Sequence, residues 1–357
     1  MLPLLWLTGP SGVGKSTVGW TLQQRLTRSG TPAAFIDADQ LRNAAGVEAG
    51  EDDFIADGLL ALEPRFRAAG ARLLIVAGIM DDEAHFARLL PGATRGHVRV
   101  VHLGAADDTL IERIEKRRWN VELAPESVAY AHGFDTSWVD LSLDTTRLPA
   151  HRIADALVGL AEDLIDSPGA QRPLVPESDA AATVTLVSGA GGVGASTTGF
   201  LAFLKSAWAG ESAGYIDSHQ LGFFGDDPHA ATAVALRAEN TAALVRVMAD
   251  RGIAQVIVSG DATTAHGLAR ALPGARTMWL HASPDAIAAR IRARAAGGGP
   301  PLAGDRRLGL SGAELAASIA ESVREAADPG FRPAGSVVID TDGCSAEQVA
   351  GQIIAAR

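Results

Sequence analysis

One cysteine, Cys344, stands in a sequence of 357 residues, which leaves no material for a disulfide framework or a thiolate metal cage. The nine histidines never fall at H-x-x-x-H spacing, so the helix-face pattern of a zinc site is missing as well. No apolar run approaches the roughly 18 residues of a membrane span, and no membrane partner is expected. Basic residues are in deficit, 31 against 42 acidic, for a formal net charge of −11. That balance argues against a broad surface for tracking nucleic-acid phosphates, so no nucleic-acid partner is expected. Residues 1–7 are apolar but lack a basic n-region and run directly into a glycine-rich stretch, which reads as a cytoplasmic protein with no signal peptide.

What the sequence does contain is organised around Gly9-Pro10-Ser11-Gly12-Val13-Gly14-Lys15-Ser16-Thr17, a complete G-x-x-x-x-G-K-[ST] phosphate-binding loop. A strand-like run precedes it and a helix-like run follows, the context the motif requires. Glycines let successive backbone N–H groups turn inward as an anion nest at a helix N-terminus. Lys15 is expected to reach the β- and γ-phosphates of ATP, and the Ser16 hydroxyl to ligate Mg²⁺.

Strand-like and helix-like segments alternate after the loop, implying a parallel sheet with right-handed crossovers. Residues 167–181 are rich in Pro, Ser, Glu and Ala without hydrophobic periodicity and read as a linker. The chain then repeats itself 180 residues on, Gly9 answering to Gly189, with Gly189-Ala190-Gly191-Gly192-Val193-Gly194-Ala195-Ser196-Thr197 matching the first loop. The same spacing carries Phe35-Ile36-Asp37-Ala38-Asp39 onto Tyr215-Ile216-Asp217-Ser218-His219. Two α/β copies follow, residues 1–166 and 182–357. The second loop has Ala195 where the first has Lys15, and His219 where the first has Asp39, so the first copy is expected to be active and the second degenerate. Loss of an ammonium near 4 Å from a phosphate is worth about 4 kcal/mol at an effective dielectric of 20.

Asp37 and Asp39 fall just beyond the second strand, on the carboxyl edge where open α/β sheets bind ligands. One is expected to act on an acceptor hydroxyl as base or orienter, and the other to tune the Mg²⁺ water shell, with Ser16 and Asp37 as the metal residues. Arg113 and Arg117 lie four apart on one helix face, placed to clamp a transferring phosphoryl as a lid. Asp144 and Thr145 end the fifth strand, where an adenine-contacting loop would fall. Asp81, Asp82 and Glu83 with His85 look metal-like, yet acidic residues favour a helix start in any case.

On these residues the first copy resembles the small P-loop kinases that phosphorylate metabolites: shikimate, gluconate and adenylylsulfate kinases and chloramphenicol phosphotransferase. Asp37-Ala38-Asp39-Gln40-Leu41-Arg42 is closest to the D-x-D-x-x-R run of adenylylsulfate kinases. The serine-proline-phenylalanine expected after the third strand of those enzymes is absent, since the sequence there reads Ala77-Gly78-Ile79-Met80. The whole chain resembles tandem proteins labelled only ATP-binding or AAA-family. The resemblance implies two nucleoside-monophosphate-kinase-like P-loop domains with strand order 2-3-1-4-5, ATP and Mg²⁺ as cofactors, and a small-molecule acceptor. The nucleotide-contacting set would be Gly9, Ser11, Gly12, Val13, Gly14, Lys15, Ser16, Thr17, Arg113, Asp144 and Thr145, and the catalytic set Lys15, Asp37, Asp39, Arg113 and Arg117. A homodimer, or a protein partner held through the second copy, is compatible with a nucleotide-dependent switch as the alternative activity.

Overall fold

The computed structural model describes residues 1–117, 120–166, 180–299 and 302–356; most of the expected linker lies outside them. In the first half the elements are β1 (Leu4–Thr8), α1 (Lys15–Arg28), β2 (Ala33–Asp37), β3 (Ala44–Ala45), α2 (Glu51–Ala68), β4 (Leu73–Ala77), α3 (Glu83–Leu89), β5 (Val98–Gly104), α4 (Asp107–Arg117), α5 (Ala124–Gly133), β6 (Leu141–Asp144) and α6 (Ala150–Ile165). In the second half they are β7 (Thr183–Gly189), α7 (Ala195–Trp208), β8 (Ala213–Asp217), β9 (Phe223–Phe224), α8 (Ala231–Asp250), β10 (Gln255–Ser259), α9 (Ala265–Ala271), β11 (Arg276–His281), α10 (Pro284–Ala295), α11 (Gly312–Ala327), β12 (Val337–Asp340) and α12 (Ala346–Ala355).

The central strands read as unbroken apolar runs because helices cover both faces of the sheet. In β1 and β4 every residue is buried. The first sheet runs β6-β5-β1-β4-β2-β9 and the second β12-β11-β7-β10-β8-β3. Counting only each half's own long strands, both give the order 2-3-1-4-5 that the resemblance implies. Strand β1 lies between β4 and β5, parallel to both, so the loop after it opens at the centre of the sheet's carboxyl edge.

The sixth strand of each sheet comes from the other copy. Strand β9 adds antiparallel to β2, Phe224 opposite Ala34 and Phe223 opposite Phe35. In return β3 adds antiparallel to β8, Ala44 opposite Gly214 and Ala45 opposite Ala213. These are corresponding residues of the repeat, so the exchange is reciprocal, an isologous contact made within one chain. It covers the edges that β2 and β8 would otherwise leave unpaired. Helices α2 and α8 pack together beside it, and Leu59 and Leu62 join Leu244 and Met248 in one hydrophobic core. Arg251 ties the helices further, its Nε lying 2.7 Å from Asp57 Oδ2. Among the described residues no helix is long and apolar enough to cross a membrane.

Candidate active site

The loop from Gly9 to Thr17 is shaped by its glycines. Gly14 has φ 101°, a left-handed conformation that disfavours a side chain, and it sets the N-cap of α1. Gly9 has φ 136°, and a Cβ there would collide with the Leu103 carbonyl oxygen, so only glycine lets β1 and β5 approach at this point. Lys15 Nζ folds over the loop and donates to the carbonyl oxygens of Gly9 at 2.7 Å and Pro10 at 3.0 Å. Burial lowers its pKa, opposed by the carboxylates of Asp39 and Asp37.

Asp37 ends β2 and is 9% exposed. Its carboxylate accepts the Ser16 hydroxyl and the amide of Asp39, the latter at 3.1 Å, so it also caps the turn Ala38–Gln40. Burial, reinforced by Asp39 nearby, pushes its pKa up to about 6. Asp39 is half exposed and pairs with Arg42 Nη2 at 2.8 Å, while Arg42 also contacts Glu51. Arg117, near the end of α4, is partly buried close enough to Asp37 and Arg113 to feel both charges. Lys15, Ser16, Asp37, Asp39 and Arg117 are therefore brought together at the carboxyl edge of the first sheet.

Two of the expected site residues are bonded to the loop itself. Arg113 Nη1 donates to Val13 O at 3.2 Å and to Thr145 Oγ1 at 2.9 Å, and its Nη2 to Thr145 O at 2.7 Å. Thr145 is 2% exposed and bonds back to Val13 O. The pair braces the loop against β6, with Arg113 Nε and one Nη2 hydrogen outside that set. Asp144 lines an open cleft of about 340 Å³ with Gly104, Ala105, Ala106, Leu143 and Thr146, where the expected adenine-contacting loop lies. Two hydrogen bonds from Thr146, one from its side chain and one from its backbone N–H, hold the Asp144 pKa below the ordinary carboxylate range.

Helix α5 carries no motif and is not among the expected elements. Ser127 Oγ on it donates to Ser11 O at 2.7 Å, and Tyr130 Oη donates to Asp81 Oδ1 at 2.9 Å while also meeting the Thr8 hydroxyl. Helix α5 thus lies across the loop as a cover. Asp82 caps α3, accepting from the His85 amide at 2.7 Å, so the acidic run is a helix start as expected. His85 is buried between Asp81 and Asp52, with ring nitrogens at 3.1 and 3.2 Å. Among the described residues no group of three or more His, Cys, Asp or Glu forms a metal cluster.

The second copy repeats the frame and changes the contents. Arg290 Nη1 donates to Val193 O at 3.2 Å and Thr341 Oγ1 at 2.8 Å, and Nη2 to Thr341 O at 2.8 Å, the same brace as Arg113. Asp217 accepts the Ser196 hydroxyl, and burial again raises its pKa. His219 Nδ1 lies 3.2 Å from Asp261 Oδ2, with Arg237 Nη1 3.6 Å from the same oxygen. Burial would raise Asp261, yet His219 and Arg237 hold it well below the usual range.

Residues 4–131 match the family model described as AAA domain. An adenylyl-sulfate kinase of Aeromonas hydrophila subsp. hydrophila is 34% identical over 79 residues, 22% of this chain and 37% of that protein. One from Burkholderia ambifaria is 39% identical over 96 residues, 27% of this chain and 51% of that protein. The chain thus spans about half or less of the length of these curated relatives. Among solved structures, a gluconokinase from Sinorhizobium meliloti 1021 is 23% identical with a TM-score of 0.32, covering 46% of this chain and 96% of its own. Residues 4–131 are thus similar to the AAA domain family and to adenylyl-sulfate kinases, the likeness that residues 9–17 and 37–42 implied.

Proposed function

We propose that the first copy, residues 1–166, transfers the γ-phosphoryl group of ATP to a hydroxyl of a small metabolite, and that residues 182–357 are a degenerate copy without turnover. The observation that supports this most is the convergence of Lys15, Ser16, Asp37, Asp39 and Arg117 in one place, beside a second loop that lacks the lysine. The loop amides and Lys15 would hold the β- and γ-phosphates. Ser16 and Asp37 form a hydroxyl and carboxylate pair of the hard oxygen donors Mg²⁺ takes, and would hold that ion, whose charge offsets that of the phosphates. Asp39, exposed toward solvent, would orient the acceptor hydroxyl and take its proton as the oxygen bonds to phosphorus and ADP leaves. Arg117 would stabilise charge on the transferring group.

The test is ATP turnover with Mg²⁺ across a pooled panel of hydroxylated metabolites, reading ADP release beside mass-shifted products. Acceptor-dependent ADP release with a phosphorylated product supports the reading. Slow hydrolysis indifferent to every acceptor would replace it with a nucleotide-dependent switch.

A further inference from the structure

The second loop keeps its glycines, its left-handed Gly194 at φ 97° and the start of a 14-residue helix, so its amides still form an anion nest. An acidic side chain already lies in it. Glu325, on α11 and 8% exposed, accepts the Gly191 amide at 3.2 Å through Oε2. Gly191 stands where the first copy has Ser11, whose carbonyl is covered by Ser127 of α5. Helix α11 covers the second loop in the corresponding way but brings a carboxylate with it.

Two further groups point into the same place. Ser322 is 1% exposed, and among the described residues neither its Oγ nor the buried Arg307 Nε has a hydrogen-bond partner. A Cβ on Gly191 would collide with both Ser322 Oγ and Arg307 Nη2, so these side chains occupy the space above the loop. Arg294, the counterpart of Arg117, is directed elsewhere, its Nε 2.5 Å from Asp305 Oδ2 and its Nη1 donating to Gly298 O at 2.7 Å. The guanidinium over Gly191, in place of the one Arg117 offers the first loop, is therefore that of Arg307.

We infer that the second loop is an oxyanion site filled by its own chain, the Glu325 carboxylate standing where a phosphate oxygen would be held, with Arg307 and Ser322 as its other walls. This rests on reading residues 182–357 as the degenerate copy and says what closes it. The ligand class that the cradle takes when the carboxylate is removed is a phosphate or pyrophosphate group. The segment preceding α11 also reaches the first copy, where a Cβ on Gly304 would come within 3.4 Å of Trp20 Nε1 on α1.

Backbone amide NMR of the full chain, titrated with pyrophosphate, tests this. In the wild type the Gly191 amide is expected to stay still at concentrations that move it clearly in Glu325→Ala. Glu325→Gln, which keeps the side chain's shape and removes its charge, is expected to respond at pyrophosphate concentrations between the two. A Gly191 amide that moves equally in the wild type, or that stays still in both variants, would overturn the inference. The amides of Gly12 and Gly14 report the first loop separately in the same spectra, so a silent first loop would count against the first-copy reading alone.

Discussion

Phe224 pairs with Ala34 across the two halves of the chain, extending the first sheet with a strand from the second copy. Phe223 beside it sets its ring 5.7 Å from that of Phe35, deep in the first copy's core. With the reciprocal pairing of Ala44 and Gly214, neither sheet is finished without the other copy. Phe223→Ala removes a partly buried ring, and a full Phe→Ala core deletion costs 3–5 kcal/mol, so about 2 kcal/mol is expected here. Calorimetry should show one lowered transition for both copies; two separate transitions with the second unmoved would mean that the copies fold independently.

Asp37 carries a stability cost that comes from its burial. Its pKa, pushed up to about 6, lies above the ordinary 3.8 of an aspartate, so between those values the folded chain holds a proton that the unfolded chain has released. Stability from this group is therefore present at acid pH and is lost as pH rises through about 6. Asp37→Asn should stabilise the chain at pH 8 by on the order of 1 kcal/mol, and much less at pH 4, while activity falls. Urea unfolding of both proteins at the two pH values checks this, and an equal gain at both would contradict it.

Arg113 and Arg290 make the same three hydrogen bonds to the residues that brace their loops. Replacing either by Ala removes three charge-assisted hydrogen bonds between a buried threonine and the loop, and about 2 kcal/mol should be lost in each case. The kinetic effects should differ: Arg113→Ala is expected to raise KM for ATP, and Arg290→Ala to leave it near wild type. Matching KM changes in both variants would contradict the division of labour between copies.

Ala195→Lys, the substitution that would complete the second loop, should fail to create a nucleotide site while Glu325 remains in the nest. Combined with Glu325→Gln it should gain one, visible by calorimetry as a second equivalent of bound ATP. A second equivalent with Ala195→Lys alone would contradict this.

Much of the frame was legible in the sequence because it is encoded locally. The first loop is nine contiguous residues, and the alternation of strand and helix follows from apolar runs separated by helical segments, while the strand order was implied by the family resemblance. Ser16 and Asp37 were singled out by their motif and strand-end positions, and they meet. The exchanged strands were not legible, since Ala44-Ala45 and Phe223-Phe224 are too short to show alternation and gain their pairing only from the other copy. The covers Ser127 and Tyr130, like Glu325, sit on ordinary amphipathic helices and acquire their roles by contacts more than 100 residues away for Ser127 and Glu325. The basic pair Arg113 and Arg117 read as one lid unit, yet Arg113 commits its guanidinium to Val13 O and the buried Thr145, contacts that spacing along one helix does not reveal.

The most direct measurement is the stoichiometry with which a non-hydrolysable ATP analogue and Mg²⁺ bind the full chain, by titration calorimetry, in the wild type and Lys15→Ala. One equivalent is expected in the wild type, with affinity lowered by about a thousandfold in the variant, the equivalent of about 4 kcal/mol for the lost ammonium. Two equivalents in the wild type, or one equivalent whose affinity is indifferent to Lys15, would contradict a chain with one working loop and one closed one.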